Sequence, residues 1–398
     1  MNYIFFKLNI MKNVVIVGSG LSGLSCAYHL KKNGINASIY DQSNQLGGRI
    51  FSDDIDGFVC DNGFQILLNN YQEVKKILDY KDLNMKYFES GATIYTDSQM
   101  YKLYNPIFHP IKSLKSDFNK IFSFSDYISI IKTLFINNHM STKQYFKHSF
   151  SKSANRLFFE PFFKGVFLDD NLENDFTFFK KLFIKFAFGK AGLPKNGMYE
   201  LVKQIKDKSK IQNINFNMKL KNISNNVAFF QNGKKVSFDF IVLALPIETI
   251  NVLFNLNLKI DYNTNSTFYI KSGKNVLGKA LLLVPDKKYK INSIQCLSNV
   301  SSNYSDNNKS LYSVSSNDHN AKKETIIKEF TKITKIQQSE MQLIKSYRIK
   351  KALNKNIYKI DRKDNIYFCG DWQKEPSIDG ALKSGRLTAE KIINFRKF

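Results

Sequence analysis

The period of the hydrophobic positions changes several times along the chain, and each change marks an element. Residues Asn13–Val17 (NVVIV) form a short β-branched run of the kind that a strand buried on both faces needs. After a glycine-rich turn, Leu21, Leu24, Ala27 and Leu30 recur at helical spacing. They predict a helix from Leu21 to Lys32, ended by Gly34. Ala37–Tyr40 (ASIY) reads as a second strand, completing a β-α-β unit. From 71 to 193 the chain turns aromatic and helical, with amphipathic spacings such as Ile128, Ile131 and Phe135. Strand patterns return over 214–246: INFNMKLKNI, a hairpin NVAFFQNGKKVSF turned at Asn232–Gly233, and DFIVLALP. Residues 260–345 mix short strand runs (GKALLLVP, SLYSVS) with Ser/Asn-rich loops. The last elements are a strand, NIYFCG, and a long helix from Ile378 to Phe395.

The first chemistry-bearing constellation sits in the turn of the β-α-β unit: Gly18-Ser19-Gly20-Leu21-Ser22-Gly23, with Asp41 ending the second strand 23 residues after Gly18. Gly18 permits a tight turn, Gly20 lets backbone approach a pyrophosphate at the positive end of the helix, and Gly23 allows close helix–strand packing. An acid at the second strand tip accepts ribose hydroxyls. This context predicts a dinucleotide site and does not by itself choose between NAD and FAD.

Two further segments carry a resemblance. Gln45-Leu46-Gly47-Gly48-Arg49-Ile50-Phe51-Ser52 resembles the GG-R extension of the dinucleotide fingerprint in glutathione-reductase-like flavoproteins, with Gln45 where that class has a leading Arg. Tyr367-Phe368-Cys369-Gly370-Asp371, followed by Ser377-Ile378-Asp379-Gly380-Ala381 and Ser384-Gly385, resembles their C-terminal flavin motif. Between them, Asp61-Asn62-Gly63-Phe64-Gln65, the stretch Phe159-Glu160-Pro161-Phe162-Phe163-Lys164-Gly165-Val166-Phe167-Leu168, Pro194-Lys195-Asn196-Gly197-Met198, Ile241–Pro246 and Ser346-Tyr347-Arg348-Ile349 resemble segments of the same proteins. The family is that of FAD-dependent amine oxidases and phytoene desaturases, nearest a desaturase-like branch, and the likeness runs over nearly the whole of Lys12–Ile393.

The resemblance implies an α/β fold: a Rossmann-type FAD-binding domain of the glutathione-reductase-like kind, interleaved with an α+β substrate-binding domain. The expected FAD domain is discontinuous, 1–70, 194–255 and 345–398, and the substrate domain takes 71–193 and 256–344. It implies non-covalent FAD held by Gly18, Gly20, Leu21, Ser22, Gly23, Asp41, Gln42, Gly48, Arg49, Gly63, Phe64, Gln65, Leu220, Gly370, Asp371, Ser377, Asp379, Gly380 and Ala381. Reduced flavin gathers negative charge near N1 and O2, which the N-terminus of the last helix is placed to stabilise. The expected reaction is hydride transfer from an apolar, isoprenoid- or carotenoid-like small molecule to flavin N5. The alternatives are an amine oxidase producing hydrogen peroxide and, in another class, a non-enzymatic isoprenoid carrier of the GDP-dissociation-inhibitor type. No catalytic residue is assigned: Lys271, Lys274 and Lys279 lie near where amine oxidases place a lysine, but none aligns. His29, on the first helix, reads as packing or surface.

Composition adjusts this picture at its margins. Lys and Arg number 59 against 34 Asp and Glu, a net charge of +25, yet only six of the 59 are Arg. Nucleic-acid readers depend on the forked guanidinium, so a scattered lysine excess argues against nucleic acid and leaves an anionic membrane surface as a peripheral partner. The four cysteines form no C-x-x-C pair and no histidine joins them, so no metal site or disulfide framework is expected, and a reducing cytoplasm is the default location. No stretch reaches the ~18 apolar residues of a spanning helix. MNYIFFKLNI lacks a signal-peptide cleavage site, and with Met11 following, residues 1–10 read as a start-site extension.

Overall fold

The computed structural model describes residues 13–395, so the reading of residues 1–10 lies outside the described residues. At its centre is a five-stranded parallel sheet in the order Ile214–Asn215, β2 (Ala37–Tyr40), β1 (Val14–Val17), Phe240–Leu243 and Ile366–Phe368. β1 and Phe240–Leu243 are buried at every position, as their unbroken apolar runs require. Val14, Ile16, Ile39 and Val242 meet the core beneath α1 (Leu21–Lys32) and the C-terminal helix Ile378–Phe395. Val15, Val17, Ile241 and Leu243 face the three-stranded antiparallel sheet of residues 220–237 on the other side. α1 and the C-terminal helix cross with backbones almost touching. A Cβ at Gly385 would lie 2.1 Å from the Ser22 carbonyl oxygen, and the Ser25 hydroxyl donates to the Leu382 carbonyl at 2.7 Å.

The second half is built on a seven-stranded mixed sheet in the order Met341–Asn354, Tyr262–Ser272, Ser310–Ser316, Ser293–Cys296, Leu281–Leu283, Gly91–Tyr95 and Met100–Tyr104. One face buries Phe268, Ile270, Ile294 and Val314 against Ile326, Phe330 and Ile333 of the helix Lys323–Thr334. The other face meets the parallel half, where the Tyr269 hydroxyl donates to the Asp61 carbonyl at 2.8 Å. A helical lobe from residues 110–188 packs around Phe146, Phe159, Phe163, Phe176 and Phe179.

Two features depart from the sequence reading. INFNMKLKNI is two strands rather than one: Ile214–Asn215 joins the parallel sheet and Leu220–Ser224 the small antiparallel one. The turn between them runs through Asn217 at φ +57°, a left-handed conformation that asparagine tolerates better than most residues. The strand Met341–Asn354 spans position 345 and belongs throughout to the seven-stranded sheet.

Candidate functional site

The turn between β1 and α1 separates its three glycines by what each one is for. Gly18 has φ +104°, and a Cβ there would lie 2.3 Å from the Ala244 carbonyl oxygen. A Cβ at Gly23 would fall 2.0 Å from the Gly18 carbonyl oxygen. Packing within the protein therefore demands both. Gly20 is different: it sits extended at φ −68°, and a Cβ there meets nothing within 4 Å. Nothing in the fold requires glycine at that position. The open space lies at the positive end of α1, whose first turn holds Leu21 and Ser22, both buried. Gly48 (φ +59°) approaches from the opposite loop, so that its Cβ would stand 3.3 Å from the Gly20 Cα.

Asp41 is nearly buried at the tip of β2. Its Oδ2 accepts the Ser19 amide at 2.5 Å and the Ser19 hydroxyl at 2.6 Å, and its Oδ1 accepts the Ser43 amide at 2.8 Å and hydroxyl at 2.7 Å. The Ser43 hydroxyl also lies 2.6 Å from the Gln45 carbonyl, and its single proton serves one acceptor at a time. A ribose hydroxyl arriving at Asp41 would take the place of the Ser43 hydroxyl, which then donates to Gln45. Gln42 beside it is exposed, while Leu220 is buried in the cluster behind Tyr40. Ser19 and Ser43, which the sequence reading did not single out, hold the acid in place; the only signal for them was their position beside the fingerprint.

Arg49 and Asp371 bring the two ends of the sequence together. Arg49 Nη2 lies 2.7 Å from Asp371 Oδ1, and Nη1 donates to the Ala352 carbonyl at 3.0 Å. The Asp371 carboxylate raises the guanidinium pKa further above its ordinary value. The chain leading to Asp371 is fixed by the Ser384 hydroxyl, which accepts the Gly370 amide at 3.0 Å. Ser377 then caps the C-terminal helix: its hydroxyl accepts the Gly380 amide at 3.0 Å and its carbonyl the Ala381 amide at 2.9 Å. At Gly380 a Cβ would lie 2.0 Å from the Glu375 carbonyl oxygen, so the glycine serves the fold-back before the helix. The Asp379 carboxylate accepts the Glu73 and Val74 amides at 2.9 and 3.2 Å and pairs with Lys185 at 2.9 Å. In this structure it joins three elements rather than lying free.

Gly63, Phe64 and Gln65 form the wall between the two halves. Gly63 takes φ +83°, and the Phe64 amide donates to Thr267 Oγ1 at 3.3 Å across to the seven-stranded sheet. Gln65 Nε2 donates to the carbonyls of Arg49 and Asn62 at 3.2 and 3.0 Å. Its Oε1 is buried with no partner, a state that costs roughly 1–3 kcal/mol unless a donor arrives. Asp61, just before this wall, is structural. It accepts the Ser52 and Tyr304 hydroxyls at 2.5 and 2.7 Å and the Met198 amide at 2.9 Å, while burial raises its pKa. Of the lysines weighed as catalytic, Lys271 Nζ stands 5.5 Å above the Phe58 ring and Lys274 pairs with Glu340 at 3.3 Å.

Space beside Gly20, the positive helix end, the Arg49 cation and the orphaned Gln65 acceptor suit a ligand with a doubly anionic middle and hydroxyl or N–H donors. FAD has both. A family model described as flavin containing amine oxidoreductase matches residues 21–265, more than half of the chain. The chain belongs to the flavin-containing amine oxidoreductase family. That description makes the family's members flavin-containing oxidoreductases. The 4,4'-diaponeurosporene oxygenase of Staphylococcus haemolyticus is 36% identical over 75 residues, 19% of this chain and 15% of that protein. Protoporphyrinogen oxidase 2 of Arabidopsis thaliana is 24% identical over 168 residues, 39% of this chain and 32% of its own length. The matched stretches thus span less than a third of either relative. An oxidoreductase from Methanosarcina mazei shares the fold, with a TM-score of 0.76 at 15% identity over 96% of this chain and 100% of that one.

Proposed function

We propose that the protein oxidises an extended, largely apolar small molecule, of isoprenoid or carotenoid type, by removing a hydride. Bound FAD supplies the hydride acceptor; the chain's part is to bind, orient and keep water away.

The observation that carries this reading is a run of rings. Phe122 meets Phe158 at 5.7 Å edge-on, Phe158 stacks on Phe162 at 5.6 Å, and Phe162 meets Phe186 at 5.0 Å edge-on. Phe158, Phe162 and Phe186 are only partly buried, whereas Phe159, Phe163, Phe167 and Phe179 in the same stretch are core. Aromatic crowding here is therefore half packing and half wall. The run ends on the helix Phe176–Phe188, which is tied to the flavin segment by Lys181–Glu375 at 2.8 Å and Lys185–Asp379 at 2.9 Å. Aromatic walls bury an extended hydrocarbon well and offer a protonated amine little beyond cation–π contact. The relative named for diaponeurosporene supports this class of substrate, and the one named for protoporphyrinogen supports a small-molecule substrate more broadly.

The test is anaerobic reduction of the bound flavin by candidate compounds. Polyenes or other isoprenoids in detergent should bleach the oxidised absorption band. Fast bleaching by a soluble mono- or polyamine, with none by polyenes, overturns the proposal in favour of an amine oxidase.

A further inference from the structure

The helix Phe124–Phe135 is apolar on the side that faces water as well as on the side that faces the lobe. Its inner side packs Tyr127 and Ile130 on the core and buries Asp126 and Thr133 fully. Asp126 accepts the amides and hydroxyls of Ser123 and Ser151 at 2.6–2.7 Å, and Thr133 shares a 2.8 Å hydrogen bond with the Tyr145 hydroxyl. Its outer side carries Phe124, Ile128, Ile131 and Phe135, a spacing of four, three and four residues that sets them in one narrow stripe. Phe124 is 80% exposed and Phe135 78%. Just before this helix in the chain, Ile107, Ile111 and Leu114 are exposed as well, Leu114 at 85%. Bare apolar side chains so concentrated mark a surface that something covers.

Charge indicates what covers it. Residues 105–136 hold four lysines, Lys112, Lys115, Lys120 and Lys132, against two acids. One acid is the buried Asp126, and the other, Asp117, is paired with Lys120 at 2.8 Å. From outside the segment Glu89 pairs with Lys112 at 2.6 Å, so each carboxylate at this face is buried or matched by a lysine, while Lys115 and Lys132 form no ion pair among the described residues and the whole chain carries +25. Among the described residues no helix is long and apolar enough to cross a membrane, so the stripe suits lying in an interface rather than spanning one. Phe122, buried in the lobe's core at the foot of this helix, is also where the ring run toward the flavin segment begins.

We propose that the face formed by residues 107–135 docks on an anionic lipid bilayer, with Ile111, Leu114, Phe124, Ile128, Ile131 and Phe135 entering the headgroup–acyl boundary. Lys115 and Lys132 contact lipid phosphates, and an apolar substrate dissolved in the bilayer is delivered at the Phe122 end of the ring run.

The experiment is co-sedimentation of the full-length flavin-loaded protein with vesicles of phosphatidylcholine, with and without phosphatidylglycerol. Wild type should pellet with the anionic vesicles and weakly or not at all with the neutral ones, and release as salt rises. Phe124→Ser/Ile131→Ser/Phe135→Ser should keep its flavin absorption and bind roughly tenfold more weakly or worse. If that variant does not fold, Ile111→Ser/Leu114→Ser gives the same readout from a separate segment. Wild type that stays in the supernatant, or variants that bind as well as wild type, overturn the proposal. So does a wild-type dimer that the variant converts to monomer while neither binds vesicles, since a second copy then covers the face. The readout does not depend on flavin reduction, so its failure leaves the proposed reaction standing.

Discussion

Arg49 and Asp371 form a 2.7 Å ion pair between the loop that follows the first strands and the loop that precedes the last helix. The pair puts a cation and an anion from opposite ends of the chain at one point of the candidate cofactor site. Half of the Arg49 side chain is exposed while the Asp371 carboxylate is buried, so solvent screening of the cation and the cost of burying the anion keep the pair's net contribution to stability small. Asp371→Asn should therefore leave the unfolding midpoint nearly unchanged. It should weaken FAD binding about tenfold, in line with a lost hydrogen bond worth ~1–3 kcal/mol. Titration of apo-protein with FAD measures it, and unchanged affinity counts against the role given to Asp371.

The three fingerprint glycines should part company on substitution. Gly18→Ala and Gly23→Ala force a side chain into backbone at 2.3 and 2.0 Å and should destabilise the protein by more than about 1 kcal/mol. Gly20→Ala meets no protein atom within 4 Å and should fold normally while losing FAD affinity. Denaturant melts of the apo-proteins alongside FAD titrations separate the two outcomes. A Gly20→Ala protein that binds FAD as wild type does would show that the space beside it is not the cofactor's.

Much of this was legible beforehand, for a physical reason: β1, α1 and β2 are local, with their boundaries written in period and glycine placement. The GG-R and Gly-Asp segments could be recognised, but not their direct contact, because Arg49 and Asp371 meet only when the strand Ile366–Phe368 joins the far side of the parallel sheet. The fourfold engagement of Asp41 was hidden for a similar reason, since serines beside a turn look like solvent residues until the turn closes. The helical spacing of Ile128, Ile131 and Phe135 gave the helix correctly, but period alone does not say which side faces the core. Tyr127 and Ile130 took the core side together with Asp126 and Thr133, which left the Phe124, Ile128, Ile131 and Phe135 stripe outside.

A fork joins the short helix Gln72–Ile77 to the C-terminal helix. Arg386 Nε and Nη2 donate to the two Glu73 oxygens at 2.7 and 2.9 Å. Burial would raise the Glu73 pKa, but the hydrogen bonds from Arg386 and Lys76 outweigh it and hold the group at about 2. A carboxyl whose folded pKa is depressed stabilises fully above its unfolded value, 4.5 here, and that contribution is lost as pH falls toward 2. Glu73→Gln should therefore cost about 2–3 kcal/mol at neutral pH, with the gap to wild type closing between pH 4.5 and 2. Urea midpoints across that range test it, and a gap that does not change with pH would contradict it.

Neighbouring phenylalanines should likewise behave differently. Phe163→Ala removes a fully buried ring and should cost roughly 3–5 kcal/mol of stability. Phe162→Ser removes a partly exposed wall residue. It should leave the flavin bound and slow its reduction by an apolar substrate, chiefly through a higher apparent KM. Equal losses of stability in the two variants would place Phe162 in the core instead of the wall.

The absorption spectrum of the purified protein, taken before and after acid precipitation, tests the central claim most directly. The site predicts a yellow protein with oxidised-flavin bands. Because the family resemblance implies FAD held without a covalent bond, precipitation should leave the pellet colourless and FAD in solution. A colourless protein that also fails to take up added FAD would contradict the whole account.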